Sequence, residues 1–257
     1  MTQESIKKRF TRLREENKKA VALLLDPDKI GDKSKFQSLI KKAVHHQVDF
    51  FFVGGSLLMR DRVDELIREL KELATNIPVL LFPGNAVQVS DKADGILFLS
   101  LISGRNPEFL IGQQVTAAPL IAQTDLEVLP TAYMLVNNGE ITSVNYVSQT
   151  LPIPNNKPDL AVATALAGKY MGMQYVYLEA GSGANAPVDP QVITSVKKAT
   201  RLPMIVGGGI RSVESAKAAW MAGADVVVLG NGVEKNPNLL IEVLEYANVY
   251  NLSLNVN

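Results

Sequence analysis

The stretch 203-PMIVGGGIRSVESAKAAWMAGADVVVLGN-231 holds two apolar runs, each closed by glycine, with a helical segment between them. Runs of this composition suit strands buried on both faces of a parallel sheet. Six similar runs precede PMIVGG (203–208) and VVVLGN (226–231): VALLLD (21–26), FFFVGG (50–55), VLLFPG (79–84), GILFLSL (95–101), TAYMLV (131–136) and YVYLEAG (175–181). Their starts recur about every 29 residues, room for one strand and one helix each. Helical stripes fill the intervals: Phe36, Leu39, Ile40, Ala43 and Val44; Val63, Leu66, Ile67 and Leu70; Val192, Ile193 and Val196; and, after the last run, Leu239, Leu240, Val243, Leu244 and Ala247. Eight strands with crossover helices predict a single (β/α)8 TIM barrel over residues 1–257, with an open doubly wound sheet as the alternative.

Two intervals break the rhythm. Only ten residues separate Gly84 from Gly95, so the third barrel helix is expected to be short or missing. That gap is either a trimmed segment or a groove for an elongated apolar ligand. After the fifth run, 137-NNGEITSVNYVSQTLPIPNNKP-158 is long and polar, either a lid over the barrel mouth or a surface hairpin. At the start, residues 7–19 hold seven basic side chains, with Ile6, Phe10 and Leu13 at helical spacing. An N-terminal amphipathic helix closing the barrel bottom is expected, and attraction to an anionic membrane is the alternative.

Composition removes several classes. Twenty-six basic and 26 acidic residues cancel, which removes the broad attraction on which nucleic-acid binding depends. Without cysteine there is no disulfide frame, thiol nucleophile or thiolate metal site. No signal-peptide core and no span of ~20 apolar residues is present, so a soluble, cytoplasmic protein is expected.

Candidate chemistry gathers at the ends of the runs. GGGIRS (207–212) and GN (230–231) each lie between a strand and a helix, where glycines let backbone N–H groups approach an anion. In barrels these two positions are the usual phosphate site, so Gly208, Gly209, Gly230 and Asn231 point to a phosphomonoester. In 177-YLEAGSGA-184 the period of two sets Tyr177 and Glu179 on one side, facing the mouth. Glu179 is the candidate for orienting or deprotonating a hydroxyl, with Tyr177 as its hydrogen-bonding neighbour, while Ser182 and the amides about Gly181 and Gly183 extend the polar cradle. Asp26, in 26-DPDK-29, offers hard oxygens that suit Mg2+ or a turn cap, and Ser56 could supply a second oxygen. Lys29 would meet an anionic substrate or solvent. His45 and His46 lie inside a helical stripe away from any strand end, which leaves a serine triad without a base. No run contains the lysine of a Schiff-base aldolase, and no DDxxD motif occurs.

Together LLLDPDK, FFVGGSLL, LFPGN, SQTLPIPNNKP, YLEAGSGA, VGGGIRS and GADVVVLGN resemble the geranylgeranylglyceryl phosphate synthase family, including its bacterial heptaprenylglyceryl relatives. YLEAGSGA with DPDK is far more specific than the glycine turns. The resemblance implies a modified TIM barrel without its third helix. It implies a prenyltransferase joining sn-glycerol 1-phosphate to geranylgeranyl diphosphate, with a heptaprenyl donor as the alternative. Asp26 and Ser56 then look like Mg2+ ligands. Tyr177, Leu178, Glu179, Ala180, Gly181, Ser182, Gly183, Gly208, Gly209, Gly230 and Asn231 look like the glycerol-phosphate site, with Glu179, Asp26 and Tyr177 as catalytic residues. A homo-oligomer, and peripheral membrane contact for the lipid product, are expected with it. Leu97, Leu99, Tyr133 and Leu135 are candidates for lining a prenyl channel. A phosphosugar isomerase or a non-catalytic phospholigand-binding barrel would share the phosphate turns.

Overall fold

A computed structural model describes residues 4–254. Eight of its strands close into a parallel barrel: β1 (Ala20–Leu25), β2 (Phe50–Val53), β3 (Val79–Leu81), β4 (Gly95–Leu101), β5 (Glu127–Asn137), β7 (Tyr175–Glu179), β8 (Met204–Gly207) and β9 (Val226–Leu229). A two-residue strand, β6 (Ile153–Pro154), pairs only with the end of β5, so β7 is the sixth barrel strand. The pairings β4–β5 and β1–β9 complete the ring and rule out the open sheet. Inward positions such as Phe52, Leu80, Leu97, Leu129, Ile205 and Val226 fill the barrel. Alternate positions pack outward on α2 (Lys33–His45), α3 (Val63–Leu73), α4 (Gln113–Ile121), α6 (Pro158–Tyr170), α7 (Pro190–Thr200), α8 (Val213–Ala222) and α10 (Asn238–Ser253). Among the described residues no helix is long and apolar enough to cross a membrane.

The barrel bottom is closed by α1 (Ile6–Glu15), which buries Ile6, Phe10 and Leu13. Phe10 stacks on Phe50 at 4.9 Å and meets the edge of Tyr175 at 5.2 Å. The Glu127 carboxylate sits at the positive end of this helix, accepting from Ser5 Oγ, Ile6 N and Lys7 N at 2.7–2.9 Å. Arg9, Arg12 and Lys18 pair with Asp49, Glu4 and Glu16, so much of the basic charge is engaged locally.

Both irregular intervals take a definite form. Between β3 and β4 there is a single 3-10 turn, Ala86–Gln88, capped by Asn85 Oδ1 accepting from Val87 N. The third barrel helix is missing, as the spacing predicts. The segment after β5 is not a hairpin. It contains α5 (Ser143–Ser148), opened by a reciprocal Thr142–Asn145 capping box, and then β6. Asn137 anchors it by donating to Ala180 O at 3.1 Å. Strand bounds also differ from the apolar runs, most of all at the third and fifth. The third ends at Leu81 rather than Gly84, because Pro83 has no N–H to continue the ladder. The fifth starts at Glu127 rather than Thr131, the mixed residues before Pro130 having hidden it.

Candidate functional site

The C-terminal strand ends surround a cavity of about 390 Å³. At its base β7 presents Tyr177 and Glu179, both buried. Glu179 Oε1 accepts from Gly181 N at 2.8 Å. Burial pushes the carboxyl up to about 7, against the opposing pull of the Gly181 N–H and the adjacent Tyr177 hydroxyl. Burial, and then the Glu179 charge, push the Tyr177 and Tyr133 hydroxyls well above their ordinary range. The Tyr177 hydroxyl has no hydrogen bond of sound geometry among the described residues, which leaves it available to a ligand. Both groups converge over Gly207, where a Cβ would lie 2.6 Å from Tyr177 Oη and 2.8 Å from Glu179 Oε2. Gly208, at φ +78°, is tighter still: a side chain there would meet Glu179 Oε1 and the amides of Ala180 and Gly181.

Above them lie the two glycine turns. Ser212 caps α8, accepting from Ser215 N at 3.2 Å, and the chain before it exposes Gly208 and Gly209 to the cavity. Gly230 and Asn231 open a short helix, α9 (Asn231–Lys235), on the neighbouring strand end. Residues of two adjacent turns thus line one space, an arrangement suited to phosphate oxygens. Asn231 Nδ2 donates to Ser182 Oγ at 2.8 Å, and Arg211 holds the opposite rim by donating to the Gly183 and Ala184 carbonyls at 2.9 and 2.7 Å. Lys29 Nζ donates to Asn231 Oδ1 and lies 3.3 Å from Glu234 and 3.7 Å from Asp26. The lysine therefore faces the cavity rather than bulk solvent alone.

Asp26 opens toward the same cavity and also caps the turn that follows it, accepting from Asp28 N at 3.1 Å. Both sequence readings of this residue are thus compatible. Its carboxylate lies over Gly55, where a Cβ would sit 3.3 Å from Cγ and Oδ1, and Ser56 is the next residue. A partly exposed carboxylate and a hydroxyl beside a phosphate-sized space are hard donors. They fit Mg2+, which binds through one or two protein oxygens and completes its shell with water and phosphate. No cluster of three or more His, Cys, Asp or Glu that could hold a metal occurs among the described residues.

A second, apolar groove of about 110 Å³ adjoins the cavity, with Gly55, Ser56, Phe82, Tyr133 and Val144 common to both. It runs across β4 into the space vacated by the missing helix. Leu99 and Leu101 line it from the barrel side, and Val89, Ile96, Phe98 and Ala117 from the flank. The α5 lid covers it with Val144 and Val147. At the junction, Phe82 stacks on Tyr177 at 5.1 Å and contacts Tyr133 edge-on at 5.8 Å.

The cavity collects Asp26, Ser56, Tyr177, Glu179, Gly181, Ser182, Gly183, Gly208, Gly209, Gly230 and Asn231. Leu178 and Ala180 stand apart. Strand alternation turns both side chains outward into the helix-facing core, and the Ala180 N–H is bonded to Gly207 O. Of the four channel candidates, Leu99 and Tyr133 line the groove, whereas Leu97 and Leu135 lie fully buried inside the barrel. Their parity matched the inner face, but the groove crosses the strand and also takes outward residues. Phe82, Arg211, Phe98 and Gln88 were not singled out from sequence.

Known proteins resemble this chain over most of its length. The sequence model described as the PcrB family matches residues 11–247. A geranylgeranylglyceryl phosphate synthase of Spirosoma linguale is 49% identical over 92% of this chain and 94% of its own length. One from Korarchaeum cryptofilum is 42% identical over 91% and 95%. The crystal structure of (S)-3-O-geranylgeranylglyceryl phosphate synthase from Thermoplasma acidophilum, in complex with its substrate sn-glycerol-1-phosphate, superposes with a TM-score of 0.87. The two are 34% identical, and the match covers 94% of this chain and 98% of that one.

Proposed function

This chain belongs to the PcrB family, and from that premise we propose that it transfers a geranylgeranyl group from its diphosphate to sn-glycerol 1-phosphate, releasing diphosphate. The observation that carries this reading is a buried carboxyl, Glu179, at the base of a phosphate-sized polar cavity that an apolar groove adjoins. A phosphosugar isomerase or a simple phospholigand binder has no use for the groove.

In the reaction, the glycine turns at Gly208, Gly209, Gly230 and Asn231 hold the phosphate of glycerol phosphate. Glu179 orients the free terminal hydroxyl and takes its proton as the oxygen bonds to C1 of the prenyl chain. The C1–O bond to diphosphate breaks with that electron pair leaving on oxygen. A carboxyl held near 7 is ionised often enough at neutral pH to act as base and is basic enough to accept the proton. Phe82 and Tyr133 line the junction of the two spaces, where C1 gains positive charge that aromatic rings stabilise. Asp26 and Ser56 would hold Mg2+, which when bound supplies neutralising charge for the departing diphosphate. Val144 and Val147 of the lid exclude water from the groove, which protects the activated donor from hydrolysis.

The test is incubation of the protein with glycerol 1-phosphate and radiolabelled C15, C20 or C35 prenyl diphosphates, with and without Mg2+. Mg2+-dependent formation of an extractable ether, greatest with C20, is the expected result. Greatest yield with C35 would transfer the reading to the heptaprenyl reaction, and no ether with any donor would overturn it.

A further inference from the structure

The turn that replaces the third helix contains a glutamine, Gln88, that is only 2% exposed. Its side chain does not face either ligand space. Instead, Oε1 accepts from Gly84 N at 3.1 Å and Gly55 N at 3.4 Å, while Nε2 donates to Gly55 O at 2.9 Å. One amide thus satisfies backbone groups of the loops after both β2 and β3. The two loops are in close contact, since a Cβ at Gly84 would meet the Gly55 carbonyl and lie 2.8 Å from Ser56 O. The Gly55 carbonyl shares a peptide plane with the Ser56 N–H, so holding it fixes where Ser56 begins. Gly55 and Ser56 are also part of the wall between the polar cavity and the apolar groove.

We propose that Gln88 is a positioning residue for the prenyl diphosphate. By clamping the Gly55–Ser56 peptide it keeps the cavity and the groove in register, so that the diphosphate end and the chain of one donor fit both at once. The inference rests on the prenyltransferase reading, because only a ligand spanning both spaces would depend on that wall. Glycerol phosphate, bound on the far side by β7, β8 and β9, should not sense it.

Two variants test this. Gln88→Leu removes all three hydrogen bonds at similar volume. Gln88→Glu keeps the acceptor, and its carboxyl can donate to Gly55 O only when protonated. Affinities of wild type and variants are measured for a non-hydrolysable C20 thiodiphosphate and, separately, for glycerol 1-phosphate, alongside melting temperatures. Gln88→Leu is expected to bind the thiodiphosphate about tenfold more weakly, in keeping with the loss of one or two net hydrogen bonds, and glycerol phosphate within twofold of wild type. For Gln88→Glu, the ratio of donor affinity to that of wild type should rise as pH falls from 8 to 5.5, a readout that survives even if Gln88→Leu fails to fold. Unchanged donor affinity in Gln88→Leu, an equal loss for both ligands, or a pH-independent ratio in Gln88→Glu would overturn the proposal. Wild type that binds the thiodiphosphate alongside any of these results leaves the prenyltransferase reading intact, and wild type that does not bind it overturns both.

Discussion

The polar cavity and the apolar groove meet at Phe82 and Tyr133, yet they are made of different materials. The cavity is largely backbone: glycine turns on β7, β8 and β9 whose amides are fixed by strand pairing and helix starts. The groove is largely side chain: Val89, Phe98, Leu99, Ala117 and Val147 come from four separate segments. An anion of fixed shape gains most from dipoles that need not move, whereas a flexible hydrocarbon needs only volume and the exclusion of water. Substitutions in the cavity should therefore act steeply, and those in the groove by degrees.

The steepest effect is expected at Glu179. Glu179→Gln keeps an acceptor for the Gly181 N–H but removes the base, and turnover at saturating substrates should fall about 10³-fold, within the range for a lost general base. Retention of near-wild-type turnover in that variant would remove Glu179 from its assigned role. In the wild type, the acid limb of kcat/KM should bend near pH 7, where the carboxyl titrates.

The same substitution should stabilise the fold. A carboxyl raised to about 7 from its ordinary 4.5 holds its proton in the native state over a range where the unfolded chain has lost it. Wild-type stability therefore falls as pH climbs from about 4.5 through 7 and levels off above. At 1.36 kcal/mol per pH unit this amounts to about 3 kcal/mol for a fully buried group. Denaturant unfolding should show Glu179→Gln level with wild type at about pH 4 and up to about 3 kcal/mol more stable at pH 8. A gap that does not vary with pH would mean that Glu179 is not strained by burial.

Gly207→Ala comes next. Its methyl would press on Tyr177 Oη and Glu179 Oε2, and since both sit on packed β7 neither can retreat far. Overpacking of this kind costs about 2 kcal/mol, and here it should appear mainly as weakened glycerol-phosphate binding in calorimetry. Wild-type affinity would show the base of the cavity to be more yielding than its backbone construction implies.

The contrast in materials also governs what could be read from sequence. Glycine turns after apolar runs, a Tyr-x-Glu at a strand end, and the oxygen donors Asp26 and Ser56 at two other strand ends are local signals, and the eleven residues found together in the cavity were legible from them. Leu178 and Ala180 entered only because they lie within the same motif, and alternation along β7 turns them away. The groove had no such local code. The ten-residue interval located it, but which side chains face it depends on how Phe82–Gly84 leave the barrel and where α4 and the lid settle. Leu97 and Leu135 share strand parity with Leu99 and Tyr133, so sequence alone does not separate them. Gln88 was hidden for a related reason: its partners are backbone atoms of other loops, and side-chain periodicity carries no record of them.

The groove itself should give the mildest response. Val89 follows the 3-10 turn, is only partly buried, and lines the groove on the flank where the third helix is absent. Val89→Trp adds bulk there without touching the glycine turns or Glu179. Since hydrophobic pockets discriminate by about tenfold or more for a lost methylene contact, the C15-to-C20 ratio of kcat/KM should rise about tenfold. The KM for glycerol phosphate should stay put, because that ligand sits on the other side of the Gly55–Ser56 wall. A rise in that KM matching the donor effect would show the two spaces to be mechanically one, and the difference in their construction would then have no functional meaning. An unchanged donor preference would instead place the hydrocarbon elsewhere, over the lid rather than through the gap left by the missing helix.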